Sequence, residues 1–330
     1  LAAREATMDQ PATRAQKPGG APAYNKTGLG DSEARAVSHY MRTGDASALI
    51  AEQRASNATD LNIGTSADGG YAVPTGLYNG IVAKRNELAL YTKLGVMPVP
   101  GKGTTVNVPT DAGTANVFVS TNEAASFDLD GPVLGQQAMA LVKYTKKLQI
   151  SVELLEDEDA KIMDFLNNYV GRALANTENT LLVAAAVAGG TTNALGSASA
   201  ASAGDIPKIA YALKGEYADN AQWIMKRATE GAYRALTGNV FQFVPTPTGP
   251  MNTLFGYPVN NSEFVAAIGT GNKSSIFGNF AFMGRREGAG LTMLRDPYSS
   301  AASGQINIFF YTRLVYKVMV AEAIQYGTHP

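Results

Sequence analysis

The sequence predicts an α+β fold with long projecting segments, and three observations lead there. Short stretches between Val99 and Val142 alternate through Val, with Gly, Pro and Asp between them, apolar residues recur at helical spacing from Ile162 to Leu181, and the stretch after Ser274 is again rich in strand formers. A chain of 330 residues can bury a substantial core, as one large domain or two modest ones.

In chain order, residues 1 to about 60 are rich in Ala, Thr, Gly and Pro ("PATRAQKPGGAPAYNKTGLG"), with one helical candidate in "DSEARAVSHYMRTG". They carry too few large apolar residues for a core. They read as an extended arm or as a disordered tail, which composition does not separate. In "GTSADGGYAVPTGLYNGIVAKRNELALY" the pair Gly69 and Gly70 marks a turn and Pro74 stops pairing. Leu77, Ile81, Val82, Leu88 and Leu90 then predict a helix.

The β region contains "TTVNVPT", alternating through Val106 and Val108, and "NVFVS", alternating through Val117 and Val119, which predicts a long hairpin. Charge is segregated along this region. Between residues 103 and 142 the only charged side chains are Asp111, Glu123, Asp128 and Asp130, whereas "KYTKK" directly afterwards supplies Lys143, Lys146 and Lys147. Either the loop is a solvated acidic excursion, or it seeks a basic surface on a neighbouring subunit.

A strand through Leu148, Ile150 and Val152 leads into "SVELLEDEDAKIMDF", which sets Glu156, Asp157, Glu158 and Asp159 in a row. On a helix each residue turns the side chain by ~100°, so these carboxylates fan around the axis and only Glu156 and Asp159 share a face. They cannot converge on one ion. Anionic residues in a first turn favour the exposed amides there, and Asp157 with Lys161 is a favourable i,i+4 pair, so the run marks a helix start.

Beyond it, Ile162, Phe165, Leu166, Tyr169, Val170, Ala173, Leu174 and Leu181 fall on one helix face, with Asp164, Asn168, Arg172, Asn176 and Asn179 opposite. A helix from about Leu155 to Val187 would span roughly 50 Å at ~1.5 Å per residue. "AGGTTNALGSASAASAGD" ends it and reads as a flexible loop or linker. In the second module "IPKIAYALKGEYADN" and "KRATEGAYRALTG" predict helices, "AQWIM" a short buried strand, and Gly238 a helix C-terminal cap. "SSIFGNF", "GLTML" and "QINIFFYTRLVYKVMVAEAI" predict strands, interrupted by the turn-rich "RDPYSSAASG".

Composition narrows function. With 27 basic against 28 acidic residues, a net charge of -1 gives no global attraction to nucleic acid or an anionic membrane. There is no cysteine, which removes disulfides and thiolate chemistry. No apolar run of spanning length and no signal core occur, so a soluble, intracellular protein is expected. The first residue is Leu1 and not Met, either cut from a longer precursor or trimmed, and processing is the reading adopted.

The only histidines are His39 and His329, near the two ends, so triads, His general bases and HExxH zinc sites lack members. "GKGTTV" lacks the third glycine of a dinucleotide loop, "GTGNKSS" separates the Gly and Lys that a phosphate-binding loop needs adjacent, and "GSASAASAG" is not a nucleophile elbow. No catalytic residue, cofactor or metal is expected. A carboxylate-dependent metalloenzyme centred on Glu156 to Asp159 is the alternative from another class.

The ordered set of arm, "GGYAVP", β excursion, "SVELLEDE" before a long helix, "NAQWIMKRAT", "LFGYPV" and "SIFGNF" resembles the tailed-bacteriophage major capsid proteins with the Hong Kong 97-like fold, over residues 40 to 325. The resemblance implies a shell protein that self-assembles into hexamers and pentamers around double-stranded DNA. It implies assembly in the host bacterial cytoplasm, residence in the virion, and a portal and cement or decoration proteins as partners, with no membrane. It also implies an N-terminal arm (1–70), a P-domain start (71–100) and an E-loop (101–142) overlying the adjacent subunit. A P-domain with a spine helix (143–190), an axial A-domain (191–274), returning P-domain strands and loop (275–314) and a last A-domain strand near Val315 to Ala323 (within 315–330) complete the plan. Leu1 fits removal of an N-terminal segment by a prohead protease.

Some members weld subunits through an E-loop Lys and a P-domain Asn. This chain has no Lys between 103 and 142 and no Asn in "RDPYSSAASG", so non-covalent assembly is expected. Candidate intersubunit contacts are Asp111, Glu123, Asp128, Asp130, Lys143, Lys146, Lys147, Glu156 and Asp159. An encapsulin-type nanocompartment shares the implied fold and is the nearer alternative.

Overall fold

A computed structural model describes His39, Ser47 and residues 75–111, 120, 122–123, 134–153, 159–236, 245–246, 249–250, 253–288 and 290–330. The expected arm lies outside these residues apart from His39 and Ser47, both helical, as do "NVFVS" up to Val119, Asp128, Asp130, Glu156 and Gly238.

Helix α1 (Thr75–Leu88) and the short α2 (Leu90–Leu94) replace the single helix expected here. The chain breaks at Ala89, which is extended (φ -76°, ψ 136°). The break leaves backbone groups without helical partners, and Asn179 supplies them. Its Oδ1 accepts from Leu90 N–H at 2.8 Å and its Nδ2 donates to Leu88 C=O at 3.2 Å. Asn179 is therefore buried, not on the solvent side as its spacing suggested, and Leu88 is exposed.

Strands β1 (Met97–Pro98), β2 (Thr105–Asp111), β3 (Leu134–Ala140) and β4 (Val142–Ser151) lead to α3 (Asp159–Gly189), a helix of 31 residues. At ~1.5 Å per residue it spans about 46 Å. Leu166, Val170, Leu174 and Leu182 are buried along it, as the periodicity requires. Phe165 and Tyr169 depart from that stripe: they are exposed and stacked on each other at 5.7 Å. Helix α1 packs closely on α3 at Gly171, where a Cβ would lie 2.9 Å from Lys84 Cβ and 3.0 Å from Ile81 C=O. Gly171→Val is therefore expected to destabilise the subunit by about 1–3 kcal/mol, the usual cost of overpacking, read as a lower urea midpoint.

The remaining elements are β5 (Thr191–Ala194), α4 (Asp205–Ala212), α5 (Gly215–Ala218), β6 (Gln222–Met225), α6 (Arg227–Arg234), β7 (Pro245–Thr246), β8 (Gly249–Pro250), β9 (Thr253–Leu254), β10 (Tyr257–Asn261), β11 (Lys273–Gly278), β12 (Met283–Glu287), β13 (Thr292–Asp296), β14 (Gln305–Val318) and β15 (Ile324–Thr328). Two sheets carry the fold. In the first, the 14-residue β14 pairs with β4 along one edge and with β13 and then β12 along the other, and β1 adds to β12. The second has the order β5-β15-β11-β6-β10-β9.

Alternation of side chains across β6 and β11 builds two cores from one sheet. Ile224 and Ile276 face Leu182, Val183 and Ala186 of α3, while Trp223, Met225 and Phe277 face Ile206, Ile209, Tyr233 and Leu254. Trp223 donates its indole N–H to Leu254 C=O at 3.0 Å, so "AQWIM" is the buried strand expected.

Four sequence expectations need correction. The Gly/Ser-rich segment after α3 is not a bare linker: Thr191–Ala194 pairs parallel with β15, and Asp205 accepts from Gly196 and Ser202 N–H at 2.9 Å each. Val152 has left the strand and is helical. Residues 315–318 stay in the first sheet because β14 runs unbroken to Val318, so the strand joining the second sheet is Ile324–Thr328 and not Val315 to Ala323. Similarly, β11 belongs to the second sheet throughout.

Candidate functional site

The β2–β3 hairpin is the first part of the candidate surface. It forms a separate two-stranded sheet, in register from Thr105 opposite Ala140 to Asp111 opposite Leu134. Across 105–110 no residue is buried, and across 135–140 of β3, the part whose burial is described, only Met139 is, at the base. An isolated two-stranded hairpin is marginal in water.

The second part is the edge of the first sheet beside α3. Lys143, Lys146 and Lys147 are exposed on β4, where lysines also discourage unwanted strand pairing. The structure divides this cluster, because alternate residues of a strand face opposite ways. Lys146 Nζ reaches 5.5 Å from the Tyr169 ring on the α3 side, whereas Lys143 lies 4.4 Å from the Tyr311 ring and Lys147 5.9 Å from that of Phe309. Between α3 and the sheet lies a cavity of about 380 Å³ bordered by Lys146, Tyr169, Arg172, Asn176, Phe310 and Tyr311. With the exposed Phe165 beside it, this is an aromatic groove rimmed by cations.

Of the other candidates, Glu123 is exposed in a turn, Asp111 ends β2, and Asp159 begins α3. Among the described residues no three His, Cys, Asp or Glu side chains converge as metal ligands, and no helix is long and apolar enough to cross a membrane.

A buried charge network, absent from the sequence reading, holds the groove's walls together. Arg285 of β12 donates to Glu178 of α3 at 2.9 Å, to Glu287 at 2.7 Å and to the Tyr316 hydroxyl at 3.0 Å. Tyr316 donates to the other Glu178 oxygen at 3.0 Å, and Arg85 of α1 donates to Glu287 at 3.0 Å. Two guanidiniums thus balance two carboxylates, and Tyr91 of α2 lies under Arg285 at 4.3 Å. Burial works against the charge on Arg285, but Glu178 and Glu287 outweigh it and hold the guanidinium charged more firmly than usual. Burial, with Glu178 adding to it, pushes the Tyr316 hydroxyl well above the ordinary phenol range. The signal that could have found Glu178 is its spacing: Leu174, Glu178 and Leu182 are four apart, which puts the acid in the apolar stripe.

His329, excluded from catalysis by position, is buried. Its ring nitrogens meet Ser274 Oγ at 2.7 Å and Ser197 C=O at 2.6 Å, tying the C-terminal strand to the loop after β5. Nearby Tyr233 is pushed up to about 12 by burial, with Asp205 adding to it.

The mixed helix and strand fold of this subunit is similar to those of solved chains, one of them a capsid. The capsid of a native GTA particle computed with C5 symmetry matches with TM-score 0.63 and 20% identity, covering 82% of this chain and 95% of that one. A chain from Microbacterium phage Oxtober96 matches with TM-score 0.56 and 10% identity, covering 84% and 99%. A chain from Gordonia phage Cozz matches with TM-score 0.51 and 14% identity, covering 82% and 98%. No curated protein matches by sequence. The phage capsid family model matches residues 69–329, and the chain belongs to that family.

Proposed function

We propose that this chain is the major capsid protein of a tailed bacteriophage, many copies of which form the hexamers and pentamers of an icosahedral head around double-stranded DNA. The observation that carries the reading is the uncovered β2–β3 hairpin on a chain of the phage capsid family. In this reading the hairpin is the E-loop, and the first sheet with α1 and α3 forms the P-domain. The second sheet, including β11 and β15, forms the axial A-domain. The GTA match is to a particle of five-fold symmetry, which supports self-association into a closed shell. Portal and decoration proteins would join the same shell. A net charge of -1 suits a container that must not grip its genome.

The docking partner of the hairpin is the groove between α3 and β4 on the next subunit. Asp111, Glu123, Asp128 and Asp130 carry negative charge on the segment between 103 and 142, Lys146 and Arg172 carry positive charge at the groove, and Lys143 and Lys147 add it on the opposite face of β4. Such complementarity fixes register and partner more than affinity. Asp159, the first residue of the spine helix, and Glu156, three residues before it in sequence, complete the proposed contacts.

Sedimentation of the purified chain tests the assembly reading. Particles far heavier than the 34.6 kDa subunit are expected, and a stable monomer at high concentration would overturn it. On denaturing gels those particles should run as single subunits, since no lysine lies between residues 103 and 142 to form a cross-link. A ladder of linked subunits would contradict non-covalent assembly.

A further inference from the structure

Arg286, the penultimate residue of β12, is 1% exposed, yet among the described residues no carboxylate pairs with it. Its guanidinium is held by backbone carbonyls alone. Nη1 donates to Thr104 C=O at 3.1 Å and Met139 C=O at 2.9 Å, and Nη2 donates to Gly103 C=O at 2.5 Å and, more weakly, to Gly101 C=O at 3.5 Å. Gly101, Gly103 and Thr104 lead into β2, and Met139 lies on β3. One side chain therefore grips both legs of the hairpin where they leave the body. Gly103 takes φ +91°, a region that disfavours a Cβ, as its carbonyl turns to the cation.

Two further bonds close the same place. Leu141 N–H donates to Thr104 C=O at 2.9 Å, and Lys317 of β14 donates to Ala138 C=O at 3.2 Å. Bonds from a charged donor are roughly twice as strong as neutral ones, and the planar fork of arginine fixes direction in a way an ammonium cannot. A buried cation spent on main-chain oxygens has no role in a hydrophobic core.

We infer that Arg286 is a positioning residue that sets the direction in which the hairpin leaves its subunit, and thereby its reach to the neighbour. The inference rests on the proposal that the hairpin docks on an adjacent copy. Without the clamp the two-stranded sheet persists but swings about Gly101 to Gly103. The entropy of ordering it must then be met at docking.

The absence of cysteine allows clean spin labelling at the exposed positions Asn107→Cys on β2 and Lys93→Cys on α2, in full-length subunits kept dispersed at low concentration. The parent chain should give one narrow distance distribution. Arg286→Lys and Arg286→Met should broaden it at least about twofold while leaving the emission of buried Trp223 unchanged, and should lower the yield of closed shells at least about tenfold. Distributions as narrow as the parent's in both variants would overturn the inference. So would a red-shifted Trp223 emission in both, which would make Arg286 an ordinary core residue. A third arm excises Pro109–Gln136. If it stops assembly while the freely swinging Arg286 variants assemble normally, the positioning role fails. If the excised chain itself assembles normally, the docking reading fails, and the distance widths alone decide whether Arg286 sets the direction.

Discussion

Glu178→Ala should destabilise the unassembled subunit by about 3–5 kcal/mol, the cost of removing one member of a buried ion pair and leaving its partners uncompensated. The Glu178 side chain has no solvent exposure, and it serves Arg285 and the Tyr316 hydroxyl together. Removing it leaves two buried guanidiniums facing one carboxylate, in a place where α1, α3, β12 and β14 all meet. The comparison is Glu87→Ala. Glu87 pairs with Lys84 at 2.8 Å across an exposed turn of α1, and exposed pairs contribute about 0–1 kcal/mol. Urea denaturation of both variants measures the contrast. A Glu178→Ala midpoint as close to the parent's as that of Glu87→Ala would show that the network does not hold the subunit together.

Excising Pro109–Gln136 and joining Val108 to Gln137 through Asn-Gly should leave a folded subunit that forms no closed shells. Val108 and Gln137 are opposite each other in the ladder, so a two-residue turn of this type can close there. The cut keeps the carbonyls of Gly103, Thr104 and Met139 that Arg286 requires. A larger cut over 104–140 would remove two of these acceptors and confuse lost docking with a buried unpaired cation. Retained folding is expected because both hydrophobic cores lie outside the hairpin. Electron microscopy and sedimentation give the readout, and normal shells from the shortened chain would remove the intersubunit role of the hairpin.

The parts of the fold legible in the sequence were those with a local periodic signal. The Leu166, Val170 and Leu174 stripe, the Val106 and Val108 alternation of β2 and the buried "QWIM" strand each report their environment through their own neighbours, whereas the partner of β2, Leu134–Ala140, carries no such alternation. The parts that were not legible depend on partners far along the chain. Asn179 is buried because the α1–α2 break, 89 residues away in sequence, needs its amide. Arg285 is buried because Glu178 lies 107 residues earlier, and Arg286 because Met139 lies 147 residues earlier. Phe165 and Tyr169 carry an ambiguous signal: an aromatic pair at i,i+4 reads as core, and only the packed subunit shows both rings exposed beside the groove. The segregation of acidic and basic residues was visible from the start, but the alternation of β4 divides Lys146 from Lys143 and Lys147, which a cluster in one dimension does not reveal.

The most direct test of the account is a three-dimensional reconstruction, by cryo-electron microscopy, of the particle this chain forms. It should show a closed icosahedral shell in which the β2–β3 hairpin of each subunit lies along its neighbour, with density from the acidic segment against Lys146 and Arg172 between α3 and β4. A shell in which the hairpin folds back onto its own subunit, or a chain that forms no shell, would contradict it.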